Sequence, residues 1–315
     1  MGPLRWAGLL LGFAADRLLG DPRRFHPVAG FGRAAGRLET SLYDDSRLRG
    51  VAFTAVLVGG ATVTGLAAER ATRTRPLAHT LLTATATWAV LGGRSLEREA
   101  TAVGDLLGTD LPAARQRLTH LVGRATAHLD ETEVARAVVE SVAENTSDAV
   151  VAPLVLGGLL GIPGLLGYRA ANTLDAMVGH RSERYRSFGW ASARLDDLLN
   201  LPGARVAASL ATLLGEDRTG ALRAWRRDAA RHPSPNAGPV EAAFAGALGI
   251  RLGGANTYGA DVEHRPVLGD GAAPRPADIA RANDLARRAG RGALVVSLLL
   301  SRAPRRQRRR AARRR

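Results

Sequence analysis

The chain has 315 residues, and none of them is a cysteine or a lysine. Without cysteine there are no disulfides, thiolate metal sites or cysteine nucleophiles. Without lysine there is no G-x-x-x-x-G-K-[ST] phosphate loop. No G-x-G-x-x-G follows a strand pattern, no G-x-S-x-G elbow occurs, and the histidines lack zinc-ligand spacing. Aromatic residues make up only 4%, with no aromatic–basic stacking platform, so the net charge of +15 does not mark a nucleic-acid binder. Eight of the arginines behind that charge sit in the last eleven residues. Such a tail is attracted to anionic lipid, at about 1 kcal/mol per charge near the surface.

The apolar residues are plentiful and bunched. Residues 51–68 and 77–93 are nearly uncharged runs of membrane-spanning length, separated by a short arginine-bearing segment, the pattern of a helical hairpin. Residues 4–19 read as a retained N-terminal helix, because no basic cluster or small-x-small site marks a cleaved signal. Residues 202–215 and 293–301 are shorter apolar segments. The mean hydropathy of −0.06 is too low for a mostly embedded protein. Residues 149–166 carry no charge, but Gly157, Gly158, Gly161, Pro163 and Gly164 interrupt them. That predicts a broken, re-entrant hairpin with its flanking polar blocks on one side. Asp110 and Pro112 mark a helix start. The Gly-rich residues 251–270 read as irregular, and strand alternation is almost absent. The expected fold is all-α: a polytopic integral membrane protein with a helical hairpin, a Gly/Pro-broken apolar segment and cytoplasm-facing helical and loop regions. One catalytic domain covers 1–303, and 304–315 forms a disordered Arg-rich tail. Arginine-rich 17–49 and 94–136 place the cytoplasmic side.

Chemistry-bearing side chains crowd against the broken run. Glu140, Glu144 and Asp148 are spaced i, i+4, i+8, so a helix places three carboxylates on one face. Like charges at that spacing repel, and a bound cation reverses the penalty. Oxygen-only ligands suit Mg²⁺. The competing reading is an acidic face paired with arginines. In the second block, Asn172 and Asp175 share a helical face, and Gly179, His180 and Arg181 end that helix. Arg184 and Tyr185 follow, and arginine forks suit phosphate or carboxylate. Asp196, Asp197 and Asn200 form a further acidic turn, for which Arg194 offers a salt bridge. Asn236 in PSPNAG, and Asn256 with Tyr258 in GGANTYG, are hydrogen-bonding groups on loops. These residues alone leave open a metal-dependent enzyme, a transport path and a salt-bridge network. A non-catalytic sensor or transporter subunit and an Asp–metal phosphoalcohol transferase are the alternatives.

Six ordered motifs narrow this. DRLLGDPRRFHPV (16–28), ESVAENTSDAVVAPL (140–154), GYRAANTLDAMVGHRSERY (167–185), ASARLDDLLNLPGAR (191–205), PSPNAG (233–238) and GGANTYG (253–259) together resemble the CobD/CbiB family of cobalamin biosynthesis, the adenosylcobinamide-phosphate synthases. The resemblance spans nearly the whole chain; the Arg-rich tail and short last apolar segment depart from it. It implies a multi-pass enzyme of the bacterial cell membrane, with its active site facing the cytoplasm. The implied reaction is an ATP-dependent carbon–nitrogen ligation of (R)-1-amino-2-propanol, or its O-phosphate, to the free propionate of adenosylcobyric acid. The implied cofactors are ATP and Mg²⁺, and the implied partners are the two substrates, the lipid bilayer and other cobalamin-assembly enzymes. Within that scheme Glu140, Glu144 and Asp148 hold Mg²⁺, supported by Asn145. Arg181 and Arg184 clamp phosphate, and Asp175 or His180 takes the amine proton. Asp21 and His26 complete the site from the N-terminal loop. Asn172, Tyr185, Asp197, Asn236, Asn256 and Tyr258 contribute substrate contacts.

Overall fold

A computed structural model describes residues 2–22, 26–180, 182–258 and 261–302, with the side chains of 2–3 and 255–264 outside the description. In chain order the helices are α1 (Gly2–Leu19), α2 (Pro27–Leu42), α3 (Arg47–Thr72), α4 (Pro76–Val90), α5 (Gly93–Leu106), α6 (Leu111–Leu118) and α7 (Glu131–Thr146). A π-turn (Ser147–Val151) leads into α8 (Ala152–Leu160) and α9 (Ile162–Val178). Then come α10 (Trp190–Leu214), α11 (Arg218–Asp228), α12 (Ala237–Leu248), the strands β1 (Leu252–Tyr258) and β2 (Asp261–Leu268), and α13 (Pro276–Arg302).

Local chemistry sets several of these boundaries. Asp110 caps α6 by accepting from Ala113 N–H at 2.9 Å, with Pro112 in the first turn, as the sequence predicts. Asp130 and Glu133 form a reciprocal capping box on α7, satisfying two donors that a helix start otherwise leaves unpaired. The core lies where α7, α10, α12 and α13 meet, around Val138, Val142, Ala207, Phe244 and Ala293. Every residue of α12 is buried, so this helix is apolar almost all round, as a central helix must be.

Among the described residues, α3 alone is long and apolar enough to cross a membrane, and only 22% of its most apolar window is buried. That distinguishes it from the core helix of a water-soluble domain. Exposed apolar side chains continue from Val51, Val56 and Val63 on α3 to Leu77 and Leu81 on α4, Leu10 and Leu11 on α1, and Val295 and Leu299 on α13.

The apolar run 149–166 does not form one helix. α8 has nine residues, about 14 Å at 1.5 Å per residue, and it turns back at Gly161, where φ is +80°. A side chain there would also overlap Arg5 and Glu69, which pair at 2.9 Å. The π-turn leads into Pro153, which has no N–H to offer the carbonyl of Ala149. That carbonyl accepts from Gly92 N–H at 3.2 Å. The chain thus enters through α8 and returns through α9, and both polar blocks finish at one end.

Two sequence expectations are corrected. Residues 202–215 and 293–301 are not separate segments but the second halves of the continuous helices α10 and α13. Packing carries α10 through Pro202. Residues 252–258 and 261–268, expected to be irregular, pair as antiparallel strands. Their register shifts between Leu252 and Gly254, where Gly253 and Gly254 have φ of 88° and 103°. A glycine bulge of this kind breaks the alternation by which a strand is read. The tail 304–315 lies outside the described residues.

Candidate active site

Three helices converge where the broken run begins and ends. The α7–π-turn segment carries Glu144 and Asp148, α9 carries Tyr168, Arg169, Asn172 and Asp175, and α10 carries Asp196, Asp197 and Asn200. On α9 the spacing 168, 172, 175 stacks three polar side chains on one face, and on α10 Asp196 and Asn200 stack one turn apart. Asn200 donates to Asp148 Oδ1 at 2.5 Å and accepts from Ser147 Oγ at 3.2 Å. Asn172 lies beside Asp196 and favours its charged form. Buried without hydrogen-bond partners are Asp196 Oδ1 and the Tyr168 hydroxyl, two polar groups with capacity to spare. Asp148 lies within the π-turn; such turns recur at functional sites.

Burial pushes the site carboxyls up, and they push on one another. Asp175 rises to about 6 through burial and then the charges of Asp197 and Glu144. Asp196 rises to about 7 through burial and then Asp175, with Asn172 opposing. Burial raises Glu144, partly offset by Arg265. Asp148 stands well above the usual carboxylate range, through burial and then Asp196 and Glu144. A cluster of this kind is stabilised by protons, by a cation or by a donor-rich ligand.

The predicted Mg²⁺ set fits this geometry only in part. Among the described residues, no three His, Asp or Glu side chains are gathered as a ready ligand cage. Mg²⁺ usually needs only one or two carboxylates, completing its shell with water and phosphate. Asp148 and the unpartnered oxygen of Asp196, beside Glu144, meet that requirement. Glu140 does not join them, and its place in the set is corrected. Its carboxylate accepts from Arg124 at 2.7 Å and from Gly253 N–H at 2.9 Å, so it ties the β-hairpin to α7. Arg136, one turn away, donates to the Gly253 carbonyl.

The other predicted residues divide. Asp21 and His26 come close, with His26 Nε2 3.8 Å from Asp21 Oδ1, and Asp21 faces Arg169. His26 Nδ1 caps α2 by accepting from Val28 N–H at 3.1 Å. Asn145 folds back onto its own helix, donating to the Ser141 carbonyl at 2.9 Å. Asn236 donates to the Asp197 carbonyl at 2.8 Å and accepts from Arg205 at 3.1 Å, joining the PSPNAG loop to α10. Asp197 lies 3.7 Å from Arg194, the salt bridge its sequence neighbourhood offered. Arg184 and Tyr185 both reach Glu39 on α2, at 3.0 and 2.8 Å, and Arg184 lies 4.1 Å over the Tyr43 ring. They build a corner rather than a phosphate clamp. His180 packs edge-on against Tyr185. Arg181 and the side chains of Asn256 and Tyr258 lie outside the described residues.

Sequence reasoning passed over Tyr168, Arg169 and Glu241, and noted Asp196 and Asn200 only as part of an acidic turn. The i, i+4, i+7 spacing from Tyr168 to Asp175 was available as a signal. Nothing local marks Glu241, a fully buried carboxylate of α12 that packing brings to Glu140 and Glu144.

The model of the family described as CobD/Cbib protein matches residues 9–286. The chain belongs to that family. Among CobD/Cbib relatives, a protein named "Cobalamin biosynthesis protein CobD" from Mycobacterium tuberculosis is 52% identical over 302 residues, covering 94% of this chain and 96% of its own. A protein of that name from Chromobacterium violaceum is 45% identical, covering 87% and 89%. One from Rhodobacter capsulatus is 42% identical, covering 93% and 96%. No solved structure gives a significant match. The CobD/Cbib match includes every site residue described above.

Proposed function

We propose that this protein acts in cobalamin biosynthesis as a membrane-embedded carbon–nitrogen ligase. It joins (R)-1-amino-2-propanol, or its O-phosphate, to the free propionate of adenosylcobyric acid at the expense of ATP. The names of the relatives support the pathway. The observation that carries the chemistry is the cluster of buried Asp196 with half-buried Glu144, Asp148 and Asp175 at the head of the broken hairpin. The exposed apolar faces of α1, α3, α4 and α13 support a multi-pass setting, with the arginine-rich segments and the site on the cytoplasmic side.

A carboxylate is a poor electrophile, so its oxygen first attacks a phosphorus of ATP. Attack at the γ-phosphorus gives an acyl phosphate and releases ADP; attack at the α-phosphorus gives an adenylate and releases pyrophosphate. The amine nitrogen then attacks the activated carbonyl, and phosphate or AMP leaves. Mg²⁺, when bound, supplies charge neutralisation for the phosphates; Asp148 and Asp196 would hold it. Asn200 fixes the rotamer of Asp148. Asp175, with a pKa of about 6, suits the acceptance of a proton from the nitrogen once it has bonded to carbon. Positioning on three rigid helices supplies much of the acceleration.

The test is ATP consumption by the purified protein in lipid nanodiscs, with mass detection of product. Turnover dependent on both adenosylcobyric acid and an amino alcohol supports the reading. ADP or AMP then identifies the activated species. Nucleotide turnover that ignores the acid and the amine, with no amide formed from either amine, would sink it.

A further inference from the structure

A guanidinium buried near other charges normally sits against a carboxylate. Arg5 pairs with Glu69 at 2.9 Å and Arg124 with Glu140 at 2.7 Å. Arg169, in the middle of the site, differs. Among the described residues no carboxylate comes within ion-pair distance of it. Its hydrogen bond to Asn172 Oδ1 is long, at 3.4 Å, and its Nε is buried with no hydrogen-bond partner. Asp21 and Asp148 are the acids whose charges it feels most. Neither makes contact: Asp21 Oδ1 itself lacks a hydrogen-bond partner, and Asp148 is held by Asn200. Asn172 stands between Arg169 and Asp196, so the free edge of the fork borders the carboxylate cluster.

We propose that Arg169 is the anion-binding residue of this site, taking the oxygens of a substrate phosphate or carboxylate with its planar fork. The fork fits two such oxygens at once, a geometry that lysine lacks. Among the described arginines nearby, Arg184 is engaged by Glu39 and Tyr43 and Arg194 by Asp197. The position also suits the chemistry. A cation on the Asp148–Asp196 side and a guanidinium on the other would hold an oxyanion between them, where neither carboxylate nor arginine alone would. Three sources share this chemistry: the nucleotide phosphates, the phosphate of a phosphorylated amine and the carboxylate of the acid. Those sources rest on the coupling reaction proposed above; the anion site itself does not.

Calorimetric titration of the full chain in nanodiscs separates them. The probes are the magnesium complex of a non-hydrolysable ATP analogue, (R)-1-amino-2-propanol O-phosphate and adenosylcobyric acid. Arg169→Gln is expected to weaken one probe about tenfold or more while the others hold, with Arg169→Lys intermediate, since a charge without a fork keeps part of the attraction. The probe that weakens names the source. Unchanged Kd for all three in a folded Arg169→Gln protein overturns the proposal, as does a wild-type protein that binds none of them. Should Arg169→Gln not fold, Arg169→Lys carries the test, and unchanged affinities there overturn it equally. Binding through Arg169 with no amide formed removes the coupling reaction and leaves the anion site. Amide formation with affinities indifferent to Arg169 does the reverse.

Discussion

Asn200 on α10 donates its amide to Asp148 on the π-turn at 2.5 Å. This bond links two segments 52 residues apart in sequence and fixes an acid that burial and three neighbouring carboxylates push towards its neutral form. Asn200→Leu should therefore cost turnover more than stability. We expect kcat to fall about tenfold or more, as when an orienting hydrogen bond is lost, with the circular-dichroism spectrum unchanged. Wild-type kcat in a folded variant would remove Asn200 from the positioning role.

Glu140 and Glu144, one turn apart, should fail in different ways. Glu140 bonds Arg124 and the Gly253 amide, so Glu140→Leu breaks a buried ion pair and should cost about 3–5 kcal/mol of stability. Its residual folded fraction should keep the wild-type Mg²⁺ dependence. Glu144→Gln removes one of several crowded charges; it should fold and lose amide formation. Denaturant titration beside a Mg²⁺-dependent rate assay separates the two outcomes.

The site makes the metal-free protein less stable at higher pH. Asp175 and Asp196 titrate at about 6 and about 7 in the folded protein, above the ordinary 3.8. Between about pH 4 and pH 7 the native state therefore holds protons that the unfolded chain has released, and stability falls as pH rises. In chelator, Tm should drop between about pH 4 and pH 7, and Asp196→Asn should raise Tm at the upper end while abolishing turnover. Added Mg²⁺ should recover part of the loss in the wild type. A Tm that climbs over this range would contradict the arrangement.

Gly161 turns the broken hairpin with φ of +80°, against Arg5 and Glu69. Gly161→Ala must adopt a left-handed backbone, at about 1–2 kcal/mol, and also displace that ion pair. Thermal unfolding in detergent should show a clear loss, whereas the Mg²⁺ and nucleotide affinities of the surviving folded protein should not move.

Arg184 is held by Glu39 and by the Tyr43 ring, away from phosphate duty. Arg184→Ala should leave KM for ATP unchanged. A KM raised tenfold would restore it to the clamp and weaken the case for Arg169.

The sequence by itself determined the helical class, the cap at Asp110, and the interruption of the run at Gly161 and Pro163. These are properties of residues read within a turn or two: an apolar period, a missing N–H, a missing Cβ. It also carried the family, because six ordered motifs survive without any contact being known. Partner choice was beyond it. Glu140, Glu144 and Asp148 look equivalent at four-residue spacing, and only packing assigns Glu140 to Arg124 and Gly253 while leaving the other two among α9 and α10 acids. Arg184 looks as available as Arg169 until Glu39 is found paired with one and, among the described residues, no acid within ion-pair distance of the other. Glu241 has no local mark at all, since its place depends on α12 running through the core next to α7. Electrostatic roles are set by distance and desolvation between segments far apart in the chain, and those exist only once the helices have packed.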